Sequence, residues 1–157
     1  MEKAKAVTPA QGKGIIAVAM IKSPIGAKPD AKKTLFLLGM WQINTARLLF
    51  DSPRNRSMLQ KVKDYVTWGT VTPEFAEEVF LKRGKAFGGK KLTPELAKKA
   101  VEVVVSEGKL SEIGVKKDVH LHPPKGGFKG TLKRPLTQRG EAGDRKGKIS
   151  DLIGRMI

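Results

Sequence analysis

A mixed helix–strand fold is predicted for this sequence, with a β-α-β-α-β segment over residues 14–72 extended through residues 73–157 by further helices and a basic loop. Three observations carry that reading. The β-branched run Ile15 to Ile21 is apolar without interruption and is closed by Ser23-Pro24 and Gly26, as a buried strand and turn would be. Ser52-Pro53 pairs a capping hydroxyl with a proline suited to the first helical position. Thr72-Pro73-Glu74 and Thr93-Pro94-Glu95 repeat the signal, each ahead of an apolar stripe.

The elements follow in order. Residues 1–13 hold Lys, Ala, Pro, Gln and Gly without apolar periodicity and are expected to form a flexible basic arm. Lys3, Lys5 and Lys13 precede the first apolar run, so a secretory leader comes into question. The run falls far below the ~20 residues that span a bilayer, and no cleavage-like site follows, so it is read as strand one. Lys28-Pro29-Asp30 opens helix one, with Ala31, Leu35 and Leu38 on one face and Gly39 as its stop. Ile43 to Phe50 is expected as strand two, although its Thr-Ala-Arg-Leu-Leu middle is also compatible with helix. Helix two carries Met58, Leu59 and Val62 as its stripe, and Tyr65 to Val71 is strand three. Leu35, Leu38, Met58, Leu59 and Val62 are expected to pack together on one face of the resulting sheet.

Beyond residue 72, one helix presents Phe75, Val79 and Phe80 and ends at Gly84; another presents Leu96, Ala97, Ala100, Val101 and Val104 and ends before Gly108. Both place acids first and bases last, as the helix dipole prefers. A short strand is expected around Val119 to Leu121, then a Gly/Pro/Lys/Arg-rich loop from Pro123 to Gly147. An amphipathic helix with Ile149, Leu152, Ile153 and Met156 closes the sequence.

Charge narrows the function. Thirty-one Lys and Arg stand against fifteen Asp and Glu, a net +16 with a pI near 10.2. So large an excess repels itself in a compact chain and is best tolerated beside a polyanion, which restricts the partner to nucleic acid or an anionic membrane face. The excess is divided: residues 1–72 carry twelve bases and four acids, residues 73–112 eight and seven, and residues 113–157 eleven and four. Two basic segments thus flank a nearly neutral helical module. The absence of Cys excludes disulfides, thiolate catalysis and Cys-based zinc sites, and fits a reducing intracellular setting.

Gly84 to Lys91 nearly spells a phosphate-binding loop, G-x-x-x-x-G-K. Lys91 stands where a magnesium-binding Ser or Thr belongs, and the segment follows a helix where the motif requires a strand. A basic turn is the better reading, with a nucleotide-dependent enzyme as the rival. His120 and His122 lie two apart in a strand and so share a face, but no Cys or nearby acidic cluster completes a metal site. No metal, cofactor or small-molecule substrate is expected. Carboxylates gather at helix starts and i,i+4 positions rather than as an acid and base pair. From Pro123 to Lys148, bases alternate with Gly and Pro, a composition that lets the backbone approach phosphates while Lys and Arg displace counterions. A DNA-binding, chromatin-type protein is the alternative that charge alone permits.

The segments TLFLLG (Thr34 to Gly39), IN (Ile43-Asn44) and DSPRNRSMLQKVKDYVTWG (Asp51 to Gly69) resemble the large-subunit ribosomal protein L-thirty family, called L-seven in eukaryotes. FLKRGK, LHPPKGGFK and GEAGDRKGKISDLIGRM resemble the extension of its archaeal and eukaryotic members, and the short arm is like the archaeal ones. The resemblance covers nearly all of residues 14–157. It departs at Met40-Trp41-Gln42, where the family often places two arginines and Trp41 offers a stacking surface instead. It departs again at Ser57, Arg139 and Ser150, where Gly, Gly and Asn are usual.

Strands alternating with helices would by themselves suggest a parallel sheet. The resemblance implies instead an α+β fold, ferredoxin-like in part: a three-stranded antiparallel sheet of order 3-1-2 with both helices on one face. It implies a non-enzymatic, cytoplasmic constituent of the ribosome that binds large-subunit RNA (23S, possibly 5S) and neighbouring ribosomal proteins, and no membrane. The residues expected to touch RNA are Lys28, Lys32 and Lys33 around the start of helix one, and Arg54 and Arg56 in the first turn of helix two, where backbone N–H groups also point outward. Lys125, Lys129, Lys133, Arg134, Arg139, Arg145 and Lys146 join them from the basic loop, whose ordering is expected to depend on RNA. Residues 123–157 are accordingly expected to serve RNA affinity more than folding.

Overall fold

A computed structural model describes residues 14–157. The arm expected over residues 1–13 lies outside the described residues. The chain runs β1 (Ile15–Met20), α1 (Pro29–Leu37), β2 (Thr45–Phe50), α2 (Pro53–Lys61), β3 (Val66–Val71), α3 (Pro73–Arg83), α4 (Pro94–Val105), β4 (Asp118–His120), β5 (Thr131–Pro135), β6 (Gly140–Asp144) and α5 (Ile149–Met156). The fold is mixed α+β. Its sheet has six strands in the order β4-β2-β1-β3-β6-β5, which corrects the expected three-stranded sheet. β1 lies between β2 and β3 and is antiparallel to both, with Ala17 opposite Leu48 on one side and Gly69 on the other. β4 adds antiparallel to β2, while β6 runs parallel to β3 and β5 parallel to β6.

Helices cover both faces of this sheet. On one, Ile16, Val18 and Met20 of β1 meet Leu35 and Leu38 from α1 and its end, and Leu59 and Val62 from α2 and its end, with Met58 partly buried against them. On the other, Ile15 and Ala17 meet α3, α4 and α5 through Val79, Phe80, Ala100, Val104, Leu152 and Ile153. A strand covered on both faces has no solvent side, so β1 reads as a continuous apolar run instead of an alternation. Leu59 is fully buried, and Leu59→Ala is expected to cost roughly 2–5 kcal/mol in a denaturant titration. A loss under ~0.5 kcal/mol would mean that the α2 stripe does not face the sheet.

The caps follow from the sequence. Ser52 Oγ accepts from Asn55 N at 3.2 Å and Thr72 Oγ1 from Phe75 N at 3.3 Å, each with a proline at the start of the helix. Thr93 heads α4 without a side-chain cap bond.

The largest departure lies between Pro123 and Gly147. The expected unpacked loop contains β5 and β6, and β6 is buried through Gly140, Glu141 and Ala142. Small and charged residues carry no apolar alternation, so nothing local marks these strands; their partners are β3 and each other. Gly69 shows how tightly this region closes on the core, because a Cβ there would lie 1.9 Å from the Lys146 carbonyl oxygen and 2.9 Å from Ile149 Cγ2. Residues 123–157 therefore contribute far more to folding than expected: Ile149, Leu152, Ile153 and Met156 of α5 are all fully buried.

Candidate nucleic-acid interface

The twelve cations expected to face RNA divide by location. Lys28, Lys32 and Lys33 stand exposed on α1 and its cap, and Arg54 and Arg56 on the first turn of α2, so all five belong to the helical layer on one sheet face. Lys133 and Arg134 are exposed on β5, an edge strand, with Lys129 before it and Arg139 in the turn after it. The charged pair and Pro135 also keep that edge from pairing with other strands. Arg139 holds a left-handed backbone, φ +58°, a conformation that costs an ordinary side chain about 1 kcal/mol and that glycine adopts freely.

Lys125 lies in a turn that α5 holds. Its N–H donates to the Arg155 carbonyl at 3.0 Å, and Arg155 Nη1 donates to the Gly127 carbonyl at 2.9 Å. Arg155 was not foreseen as a supporting residue, because an arginine near a helix C-terminus is already explained by the dipole. Lys146 is exposed, also with a left-handed backbone (φ +52°), and its N–H donates to Asp144 Oδ1 at 2.8 Å.

Two of the twelve have partners inside the protein. Arg56 Nη2 donates to Asp51 Oδ2 at 2.7 Å; that hydrogen bond raises the Arg56 pKa, and the Asp144 carboxylate at the end of β6 contributes to the same shift. The Asp144 carboxylate at the end of β6 is thus within electrostatic reach of Arg56.

Arg145 needs correction as a surface cation. Its side chain is largely buried, with Nε donating to Thr67 Oγ1 at 2.9 Å and Nη2 to the Glu141 carbonyl at 3.1 Å and to the Glu141 carboxylate. Burial lowers its pKa from the ordinary guanidinium value, and the charge of Arg155 adds to that. Glu141 Oε1 also accepts from Gly130 N at 2.6 Å, and Thr67 Oγ1 donates to the Gly143 carbonyl at 2.9 Å. These bonds tie β5 and β6 to β3. A lone Arg in a basic, Gly-rich run gives no sign of this, although Glu141, four residues earlier in a segment otherwise short of acids, is the signal that could have found it.

Arg47 is a second inward arginine. It donates to the Leu38 carbonyl and so ties the end of α1 to β2; burial lowers its pKa, opposed by Asp118.

The phosphate-loop reading of Gly84 to Lys91 fails on hydrogen bonding. Lys85 and Lys91 pair as an antiparallel bridge, Ala86 N donates to the Lys90 carbonyl at 2.9 Å, and Phe87 N donates to the Gly114 carbonyl at 2.8 Å. The Ala86 and Phe87 amides are thus already occupied and cannot cradle a phosphate. His120 Nδ1 lies 3.4 Å from Thr45 Oγ1 and its Nε2 3.4 Å from Asp118 Oδ2. Among the described residues no three His, Cys, Asp or Glu are grouped to hold a metal, and no helix is long and apolar enough to cross a membrane.

Residues 16–66 match the family model described as Ribosomal protein L30p/L7e. Similar over nearly their whole lengths are three proteins named Large ribosomal subunit protein uL30. That of Aeropyrum pernix is 37% identical over 157 residues, covering 91% of this chain and 99% of the relative. That of Methanopyrus kandleri is 36% identical, covering 87% and 100%, and that of Methanococcus vannielii 33% identical, covering 90% and 98%.

Proposed function

Because the chain belongs to the ribosomal protein L30p/L7e family, we propose that its two basic surfaces, the α1/α2 layer and the β5 side of the sheet, are the faces by which it holds ribosomal RNA. It is a structural constituent of the large ribosomal subunit in the cytoplasm, with ribosomal RNA and neighbouring ribosomal proteins as partners and no reaction to catalyse. The observation that carries the assignment of the surfaces is electrostatic. Of the twelve candidate cations, all but Arg56 and Arg145 are exposed and make no ion pair among the described residues. Charge left without internal partners favours an external polyanion.

The proposal takes β2-β1-β3 with α1 and α2, residues 14–72, as the RNA-binding core of order 3-1-2, and residues 73–157 as an extension packed against it. It extends to a place beside the 5S RNA, which rests on the family resemblance.

Replacing Lys133, Arg134 and Arg139 together with Gln is expected to flatten the slope of log K against log salt for large-subunit RNA by roughly 2–3, at about 0.7–0.9 for each phosphate no longer neutralised. The thermal midpoint should hold, since all three side chains are exposed. Lys90→Ala serves as the control. An unchanged slope would take the β5 edge out of the interface. Duplex DNA bound as tightly as structured RNA at equal salt would favour the chromatin-type reading instead.

A further inference from the structure

Large apolar side chains are exposed unevenly over this protein. Of the six that the described residues expose, Ile25, Phe36, Leu37, Trp41 and Ile43 fall between the β1–α1 turn and the start of β2, and only Phe87 lies elsewhere. Contiguous exposed apolar surface on a highly charged protein marks a site of association. Three of the five, Ile25, Phe36 and Trp41, line a groove of about 470 Å³ together with Pro24, Leu35 and Met40, with Lys32 and Lys33 also in its lining. Leu35 and Met40 are buried in the core beneath, so the floor is anchored. The Phe36 and Trp41 rings meet edge to face, centroids 4.5 Å apart at 80°, and Trp41 is 58% exposed. A packed floor and a paired aromatic neighbour restrict the indole while leaving much of it open to solvent.

The chemistry of the lining selects the occupant. Rings offer stacking surface to a flat partner, and two lysines in the same groove, with Lys28 exposed at the α1 cap, call for negative charge close beside it. α1 supplies a single acid, Asp30, against these. A flat apolar group joined to an anion is a nucleotide: base stacking on aromatic side chains and phosphate attraction to lysine together hold unpaired strands. We propose that this groove receives an unstacked base of single-stranded RNA on Trp41, with Lys32 and Lys33 toward its phosphates. The inference rests on the ribosomal RNA reading and adds to it a specific contact with an unpaired nucleotide.

The full chain has two tryptophans, and Trp68 is buried at 4% exposure, so solvent-side quenching reports on Trp41. The experiment titrates tryptophan emission of the wild type with a short oligouridylate, an RNA duplex of equal length and inorganic polyphosphate, and compares oligouridylate affinity among wild type, Trp41→Ala and Trp41→Phe by the fluorescence anisotropy of an end-labelled oligouridylate. Oligouridylate should quench emission where the duplex and polyphosphate do not. Trp41→Ala should weaken oligouridylate binding by about five- to hundredfold, the range of a single base–aromatic stack, and Trp41→Phe should restore most of it. Equal quenching by polyphosphate, or equal affinity of wild type and Trp41→Ala, would overturn the inference. So would unchanged oligouridylate binding together with loss of a neighbouring protein from subunits carrying Trp41→Ala, which would make the groove a protein-binding surface. Intact binding to large-subunit RNA in any of those cases leaves the broader reading standing; no binding to that RNA by the wild type removes the reading itself.

Discussion

A chain truncated after His122 is expected to lose its cooperative thermal transition altogether, as followed by circular dichroism. The missing residues include β6, which pairs with β3, and α5, whose Ile149, Leu152, Ile153 and Met156 are fully buried. At about 1.5–3 kcal/mol for each fully buried side chain, those four alone contribute roughly 6–12 kcal/mol. A domain of ordinary stability has about 5–15 kcal/mol in total. The cut also removes Met156, whose carbonyl accepts from His122 N at 2.9 Å, and so frees the segment following β4. A truncated chain that still melted with wild-type sharpness and midpoint would show that α5 is not part of the core.

Arg145→Met is expected to cost about 3–5 kcal/mol, the loss that follows when one partner of a buried ion pair is removed and the other keeps its charge. Glu141 would stay buried at 3% exposure, with only the Gly130 N–H still donating to its carboxylate. The double replacement Glu141→Gln with Arg145→Met should recover part of that stability, because the uncompensated charge is gone. Chemical denaturation of both variants measures this, and RNA affinity at matched fractions folded separates structure from binding. If Arg145→Met kept full stability while RNA affinity fell, Arg145 would return to the interface as a residue that touches RNA directly.

Local signals located most of the helices. Ser52-Pro53 and Thr72-Pro73 are capping chemistry complete within a few residues, so α2 and α3 begin where that chemistry places them. Leu35, Leu38, Leu59 and Val62 were identifiable as core from helical spacing, because one covered face is enough to impose a 3.6-residue period. α1 was legible only in part. Its Leu35-Phe36-Leu37-Leu38 run is apolar all round, yet spacing from Ala31 selects Leu35 and Leu38, which the structure buries; what spacing did not show is that Phe36 and Leu37 stay in solvent.

Net charge, its concentration toward both ends, the positions of exposed lysines on α1 and the apolar character of β1 were determined by the sequence itself, since each depends on composition or on neighbours a few residues apart. Only the tertiary structure decided the sheet order, the presence of β5 and β6 in a stretch of glycines and charges, and the burial of Arg145. A parallel pair such as β3 and β6 joins residues 76 apart, Thr67 with Gly143, and its hydrogen bonds are between backbones that any side chain would allow. Whether an arginine faces RNA or Glu141 depends on what lies across that pairing, and local spacing carries no record of it.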